Sequence, residues 1–360
     1  MLIDEAFSRP SNLRPCCAFG HSLGVEVAEL PVPIFEVQNV VAPDGAGRHT
    51  YDGGLISMRN PAQRGFVSPE NNGLLYTCRG GFLDIAHVRD YADWTAFLAL
   101  RLDAMLESGA LADLGDEAAS RIVYVEAFSD REIASLGRRR VALELARWLA
   151  YQVSVWHEVA TWYGYAALDL FPERASAFSP EDLYSNLTGI ELAAEVLSDD
   201  TVTSEEAFNR AMDRALEARL EQLGALPPEL TVAAASAVDG RWWDSQARVP
   251  DMALVLRRNF DLGPRVSPWQ IPDEARPAAL EAACRETGRE AWVLEPTDRI
   301  GGVAFETRAR LDLRVDTDNL DPDFPLPGDS PWITQRDLPL IVTHARAANR
   351  ERFGDDADLP

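Results

Sequence analysis

Two of the five histidines, His87 and His157, stand beside acids in settings suited to chemistry. His157 precedes Glu158 in Trp156-His157-Glu158-Val159-Ala160-Thr161-Trp162-Tyr163, a polar pair among aromatics on a stretch otherwise built of Leu, Ala, Val and Arg. In Asp84-x-x-His87-x-x-Asp90-Tyr91, the i, i+3 and i+4 spacings gather Asp84, His87 and either Asp90 or Tyr91 in the first turns of a helix. Imidazoles on two helices, completed by a carboxylate, form a metal-ligand set. The ligands read from the sequence are His87, His157 and a carboxylate from Glu191 or Glu158, with Glu191, on the helix after the one bearing His157, taken first. Glu158 is then the base that activates water, with Asp84 beside His87 and Arg79 or Arg89 steadying the developing anion. The cofactor is a divalent cation, zinc foremost. The one-helix zinc-protease motif H-E-x-x-H is not met, because Thr161 stands where its second His belongs.

Other readings of the same residues are of different classes. Without a metal, Glu158 with Asp84 or Glu181 can serve as general acid and base for glycoside or ester cleavage, with Trp156, Trp162 and Tyr163 as a sugar-stacking wall. Without catalysis, the polar residues form a hydrogen-bonded core, Glu158 pairs with Arg79 or Arg89, and the long loop 43–73 binds a partner. Gly20-His21-Ser22-Leu23-Gly24 matches the nucleophile elbow G-x-S-x-G, with His344 as the base. That motif needs a strand before it and a helix after it, whereas Val25-Glu26-Val27 reads as strand, so a tight turn is expected. Cys78, before a Gly-rich turn, reads as a nucleophile or, more simply, as a disulfide or buried thiol.

Composition removes whole classes. All 34 basic residues are Arg, so pyridoxal-phosphate Schiff bases, P-loop and kinase lysines and Ser/Lys hydrolases are excluded. A formal charge of −24 offers no basic stripe for a nucleic-acid backbone. The substrate expected is a small molecule or an envelope polymer. The cysteines Cys16, Cys17, Cys78 and Cys284 lack C-x-x-C spacing, which removes a zinc ribbon and leaves a long-range disulfide such as Cys16 or Cys17 to Cys78. No segment approaches the roughly 18 apolar residues of a membrane span, and Met1 to Pro15 lacks the apolar stretch of a signal peptide.

The elements that must position these groups read as an α+β fold, a central helical bundle with short strands contributed by the N- and C-terminal parts. A polar segment covers 1–15, a single α+β domain 16–330 with its helical centre at 84–224, and a helix and tail 331–360. Val25 to Val40 alternates as one or two strands broken by Pro31 and Pro33. Leu74 to Thr77 is a short strand, and Asp84 caps a helix to about Glu107. Arg121 to Phe128 is a buried-type strand, Ser129 with Glu132 a capping box, and Arg138 to Tyr165 the long central helix. Ser179-Pro180-Glu181-Asp182 and Thr203-Ser204-Glu205-Glu206 open two more helices. Ala304 to Val315 alternates as a strand, and Thr334 to Arg352 is a terminal helix.

The runs Arg14 to Gly20, Leu75-Tyr76-Thr77-Cys78-Arg79-Gly80-Gly81-Phe82-Leu83-Asp84-Ile85-Ala86-His87 through Trp94, Trp156 to Gly164 and Phe178 to Gly189 together resemble the bacterial family known as domain of unknown function 4056. The resemblance covers residues 14–330, and Cys78 to Trp94 is its most specific part. It implies an envelope protein, periplasmic or secreted, which favours a disulfide. It implies no activity, so the site rests on its residues.

Overall fold

The computed structural model describes residues 7–11, 14, 18–27, 30–53, 69–166 and 173–360. Cys16, Cys17 and the middle of the 43–73 loop lie outside them. Along the described chain run β1 (Leu23–Val27), β2 (Leu30–Val37), β3 (Leu74–Thr77), β4 (Gly81–Asp84), α1 (Ile85–Met105), β5 (Ala110–Asp116) and β6 (Ala119–Val125). Then come α2 (Asp130–Leu136), α3 (Arg138–Trp162), α4 (Asp182–Ser198), α5 (Glu205–Leu223), α6 (Pro228–Ser236) and β7 (Arg248–Val249). The chain ends with α7 (Ala278–Ala283), β8 (Arg299–Ile300), β9 (Val303–Ala304), β10 (Ala309–Val315), β11 (Trp332–Thr334) and α8 (Leu338–Phe353). The fold is α+β, a helical centre flanked by small sheets.

α1 is the middle of the molecule. Nearly every residue from Ile85 to Ala99 is buried, polar ones included, because the helix is covered by α3 on one side and α4 on another. A helix buried almost all round is a core helix, and its polar side chains must find partners there. Gly189 sets the spacing on the α4 side, since a Cβ there would run into the backbone carbonyl of Val88. The two helices therefore touch backbone to backbone one residue from His87.

An antiparallel sheet in the order β11-β10-β6-β5 lies across α3, burying Val123, Leu311 and Leu313 while alternate residues face out. β5 and β6 turn through Glu117 and Ala118, the latter at φ 51°. A second apolar core gathers Phe19, Phe82, Trp242 and Trp243 around the β3–β4 hairpin and α6. There Cys78 bonds to Cys284 at the end of α7, not to Cys16 or Cys17. The partner is set by chain path, which carries α7 back over the hairpin across 206 residues.

Several boundaries move for local reasons. The Ser129–Glu132 capping box is present, but it opens α2, and Gly137 at φ 84° divides α2 from α3. α4 starts at Asp182, because the Asp182 carboxylate turns back to accept from Ser179 N, where a Ser179 cap had been expected. The alternating run 304–315 is interrupted by a 3-10 turn at Phe305–Thr307, so only β10 is a full strand. Ser22 sits in a turn leading straight into β1 and exchanges hydrogen bonds with Gln38, so no nucleophile elbow forms.

Candidate metal centre

Asp84 ends β4 and caps α1, accepting from Ala86 N at 2.7 Å, so His87 falls in the first turn, facing α3 and α4. His157 and Glu158 lie late in α3. Neighbours on a helix point about 100° apart, which turns Glu158 into the core while His157 keeps 15% side-chain exposure. One ligand atom from each of His87, His157 and Glu158 can be chosen so that all lie within 4.8 Å of one another. Two atoms bound to one zinc at about 2.0–2.2 Å are at most about 4.4 Å apart, so the three groups stand near one point and would draw in slightly to share a cation.

The surrounding hydrogen bonds orient the rings. His157 Nδ1 meets Glu117 Oε1 at 2.7 Å. An ionised carboxylate only accepts, so Nδ1 carries the proton and Nε2 is left to coordinate. Asn186 Nδ2 faces Glu158 Oε1 at 3.4 Å, which directs its Oδ1 to His87 Nδ1 at 2.8 Å. Nδ1 of His87 is thereby also a donor. Glu158 Oε2 accepts from Phe178 N at 2.8 Å. Ala118, beside Glu117, and Phe178 hold φ at 51° and 55°. Left-handed backbone at two residues without the freedom of glycine is strain concentrated at this site.

Electrostatics favour positive charge here. Burial works against a charged His87, but the carboxylates of Asp182, Asp84 and Glu158 prevail and hold its pKa up at about 10. Burial likewise opposes charge on His157, and the hydrogen bond and charge of Glu117, with Glu158, raise it to about 9. Glu181 is 1% exposed, neither of its oxygens has a hydrogen-bond partner among the described residues, and burial beside Asp84 pushes it well above the glutamate range. Two buried guanidiniums stand near. Arg121 pairs with Glu117, and Arg258 donates to the carbonyls of Ala177, Ala175 and Met252.

Of the residues read from sequence, His87, His157, Glu158 and Asp84 come together, with Glu181 among them. Glu191 does not. It lies five residues beyond Asn186, about 140° round the helix, and its carboxylate sits between Arg147 and Arg219 at 3.8 and 3.5 Å. Glu158 is the carboxylate that stands with the two histidines. Arg79 stacks on Trp292, 4.9 Å from its centroid, and donates to Glu290 O. Arg89 is bound to Asn72 and to the carbonyls of Ala46 and Gly47, clamping the loop to α1. Neither arginine is at the cluster, and neither pairs with Glu158. Cys78 is in the disulfide and is no nucleophile.

Glu117, Asp182 and Asn186 are the site residues that sequence reasoning passed over. Gly115-Asp116-Glu117-Ala118 has the composition of a solvent turn, yet Glu117 is 1% exposed. A faint signal lay in Asn186, four residues after Asp182, which share the helix face turned to His87.

An α+β protein with a buried His/His/Glu cluster at the junction of three helices is thus defined. The profile of one protein family, described as a protein of unknown function (DUF4056), matches residues 4–272. The chain belongs to that family. No curated protein and no solved structure matches it. Among the described residues, no helix is long and apolar enough to cross a membrane.

Proposed function

We propose that the protein is a metal-dependent hydrolase, with His87, His157 and Glu158 holding one divalent cation, zinc foremost. The observation that carries this reading is the convergence of their three ligand atoms within 4.8 Å, each imidazole having its Nδ1 already committed to a fixed acceptor. A cation there supplies a Lewis acid that lowers the pKa of water and polarises a scissile oxygen. The chain's own residues do the rest. Glu117 fixes the His157 ring, Asn186 fixes both His87 and Glu158, and Glu181 stores a proton for a leaving group.

The substrate class is a small molecule or an envelope polymer, and the compartment periplasmic or extracellular. The Cys78–Cys284 disulfide supports an oxidising compartment. The test is elemental analysis of untagged protein, wild type beside His157→Ala. Near-stoichiometric metal lost in the variant is the expected result. Absence of metal in the purified wild type, with none gained on incubation with zinc, manganese or iron, sinks the reading.

One observation favours a second reading. The orphan carboxyl of Glu181, held protonated near Glu158, is the arrangement a metal-free acid–base hydrolase uses. It would leave metal-free protein active, and Glu181→Gln would abolish that activity.

A further inference from the structure

α4 presents a different chemistry on the side away from His87. α3 opens with Arg138, Arg139 and Arg140, and Gly137 before them gives no side-chain cap. With Arg147 of α3 and Arg219 of α5, these residues line a groove of about 810 Å³ that also contains Glu144, Glu191 and Glu195.

Hydrogen-bond accounting shows which donors are spent. Arg138 is engaged by Asp103 and Glu107, and Arg139 by Asp200. Arg140 is exposed and makes no ion pair among the described residues. Arg147 reaches Glu144 at 2.9 Å and Glu191 at 3.8 Å, while its buried Nε has no acceptor among the described residues. Arg219 stands 3.5 Å from both Glu191 and Glu195, at the outer limit of hydrogen bonding. Each guanidinium has five N–H donors, so Arg140 and the loosely held Arg219 bring donors to the groove that its glutamates do not take up at short range. The first-turn N–H groups of α3 add to the excess. What the groove lacks is an acceptor-rich anion.

We propose that this groove binds a phosphoryl group, carried by a soluble ligand or by a phospholipid headgroup. A phosphoryl group offers O–P–O edges that guanidinium forks match bidentately, and oxygens left over for helix N–H groups. A carboxylate has only two oxygens and cannot engage both sets. This site is independent of the metal centre, since Glu191 and Asn186 face opposite ways from α4.

The experiment is calorimetric titration of inorganic pyrophosphate into the full chain at low salt. Saturable one-site binding is expected, weakened about tenfold by Arg140→Glu and weakened by added salt. His157→Ala should bind like the wild type, which separates the groove from chelation at the metal centre. Arg140 is exposed, so its reversal leaves the fold intact, as circular dichroism will verify. No saturable binding by the wild type, or equal binding by Arg140→Glu, overturns the proposal. Sedimentation with phosphatidylglycerol vesicles, against phosphatidylcholine, then identifies the source. Arg140-dependent co-sedimentation assigns the phosphoryl group to a headgroup, and pyrophosphate binding without it assigns a soluble ligand.

Discussion

Glu117 and His157 are 40 residues apart in the chain, and their Oε1 and Nδ1 meet at 2.7 Å. The contact joins the β5–β6 turn to the end of α3 and commits Nδ1 of His157, so Nε2 is the nitrogen that can coordinate. Glu117 is itself held by Arg121, so the ring is positioned by a sheet and not by its own helix alone.

Removing that support should loosen the metal without removing a ligand. Glu117→Gln is expected to weaken zinc affinity by about 10- to 100-fold, the usual cost of losing a carboxylate behind a ligating histidine. Competition against a chromogenic chelator measures it, and an unchanged affinity would separate Glu117 from the site.

Direct ligand variants should divide sharply. His87→Ala and His157→Ala are expected to lose bound metal, whereas Glu191→Gln, which faces the arginine groove, should retain it. Urea unfolding of His157→Ala adds a second reading. If the cluster is only a hydrogen-bonded core, the variant should lose several kcal/mol of stability, of the order of 1–3 kcal/mol per buried group left unsatisfied.

Metal uptake should release protons. In the metal-free protein at neutral pH both rings hold an extra proton, because their pKa values stand at about 10 and about 9. A ligating imidazole must be neutral, so close to two protons per ion should appear in weakly buffered solution. Apparent affinity therefore falls as pH falls. An indicator dye that reports no proton release on zinc addition would contradict the ligand assignment.

A buried ionic network anchors the N-terminal part to α1. Arg14 binds Glu70 at 2.7 Å and Asp93 at 2.8 Å, with Asp90 also in reach. Burial alone would raise Glu70, but the charge and hydrogen bond of Arg14, with Arg89 and His49, hold it well below its ordinary value. A depressed carboxylate stabilises the fold fully above its unfolded pKa and loses that contribution as pH falls through the folded value. Arg14→Gln should cost about 3–5 kcal/mol at neutral pH. The gap to the wild type should narrow as the carboxylates protonate, and denaturant titrations from pH 7 downward will show whether it does.

Breaking the disulfide should matter more for stability than for the site. Cys284→Ser frees a loop spanning 206 residues, for which chain entropy gives about 5 kcal/mol as an upper figure. Metal content at low temperature should be unchanged, because Cys78 and Cys284 sit in the second core.

The sequence by itself determined a good deal of the fold. β3 falls where its residues put it, α5 runs from its Ser204 cap to left-handed Gly224, and the helical centre is as its periodicity requires. These are local matters, decided by caps, turns and the spacing of apolar residues within a few positions. Local reading also singled out His87, His157 and Glu158, because a His or Glu among buried apolar neighbours is conspicuous in the chain. Tertiary structure alone decided the company they keep. Glu191 was expected at the site and Glu117 was not, since the rotation of α4 about its own axis and the path of the β5–β6 turn depend on contacts such as Gly189 against Val88. The same holds for Cys78 and Cys284. A pairing across 206 residues is fixed by how two cores stack, and no spacing in the sequence encodes it.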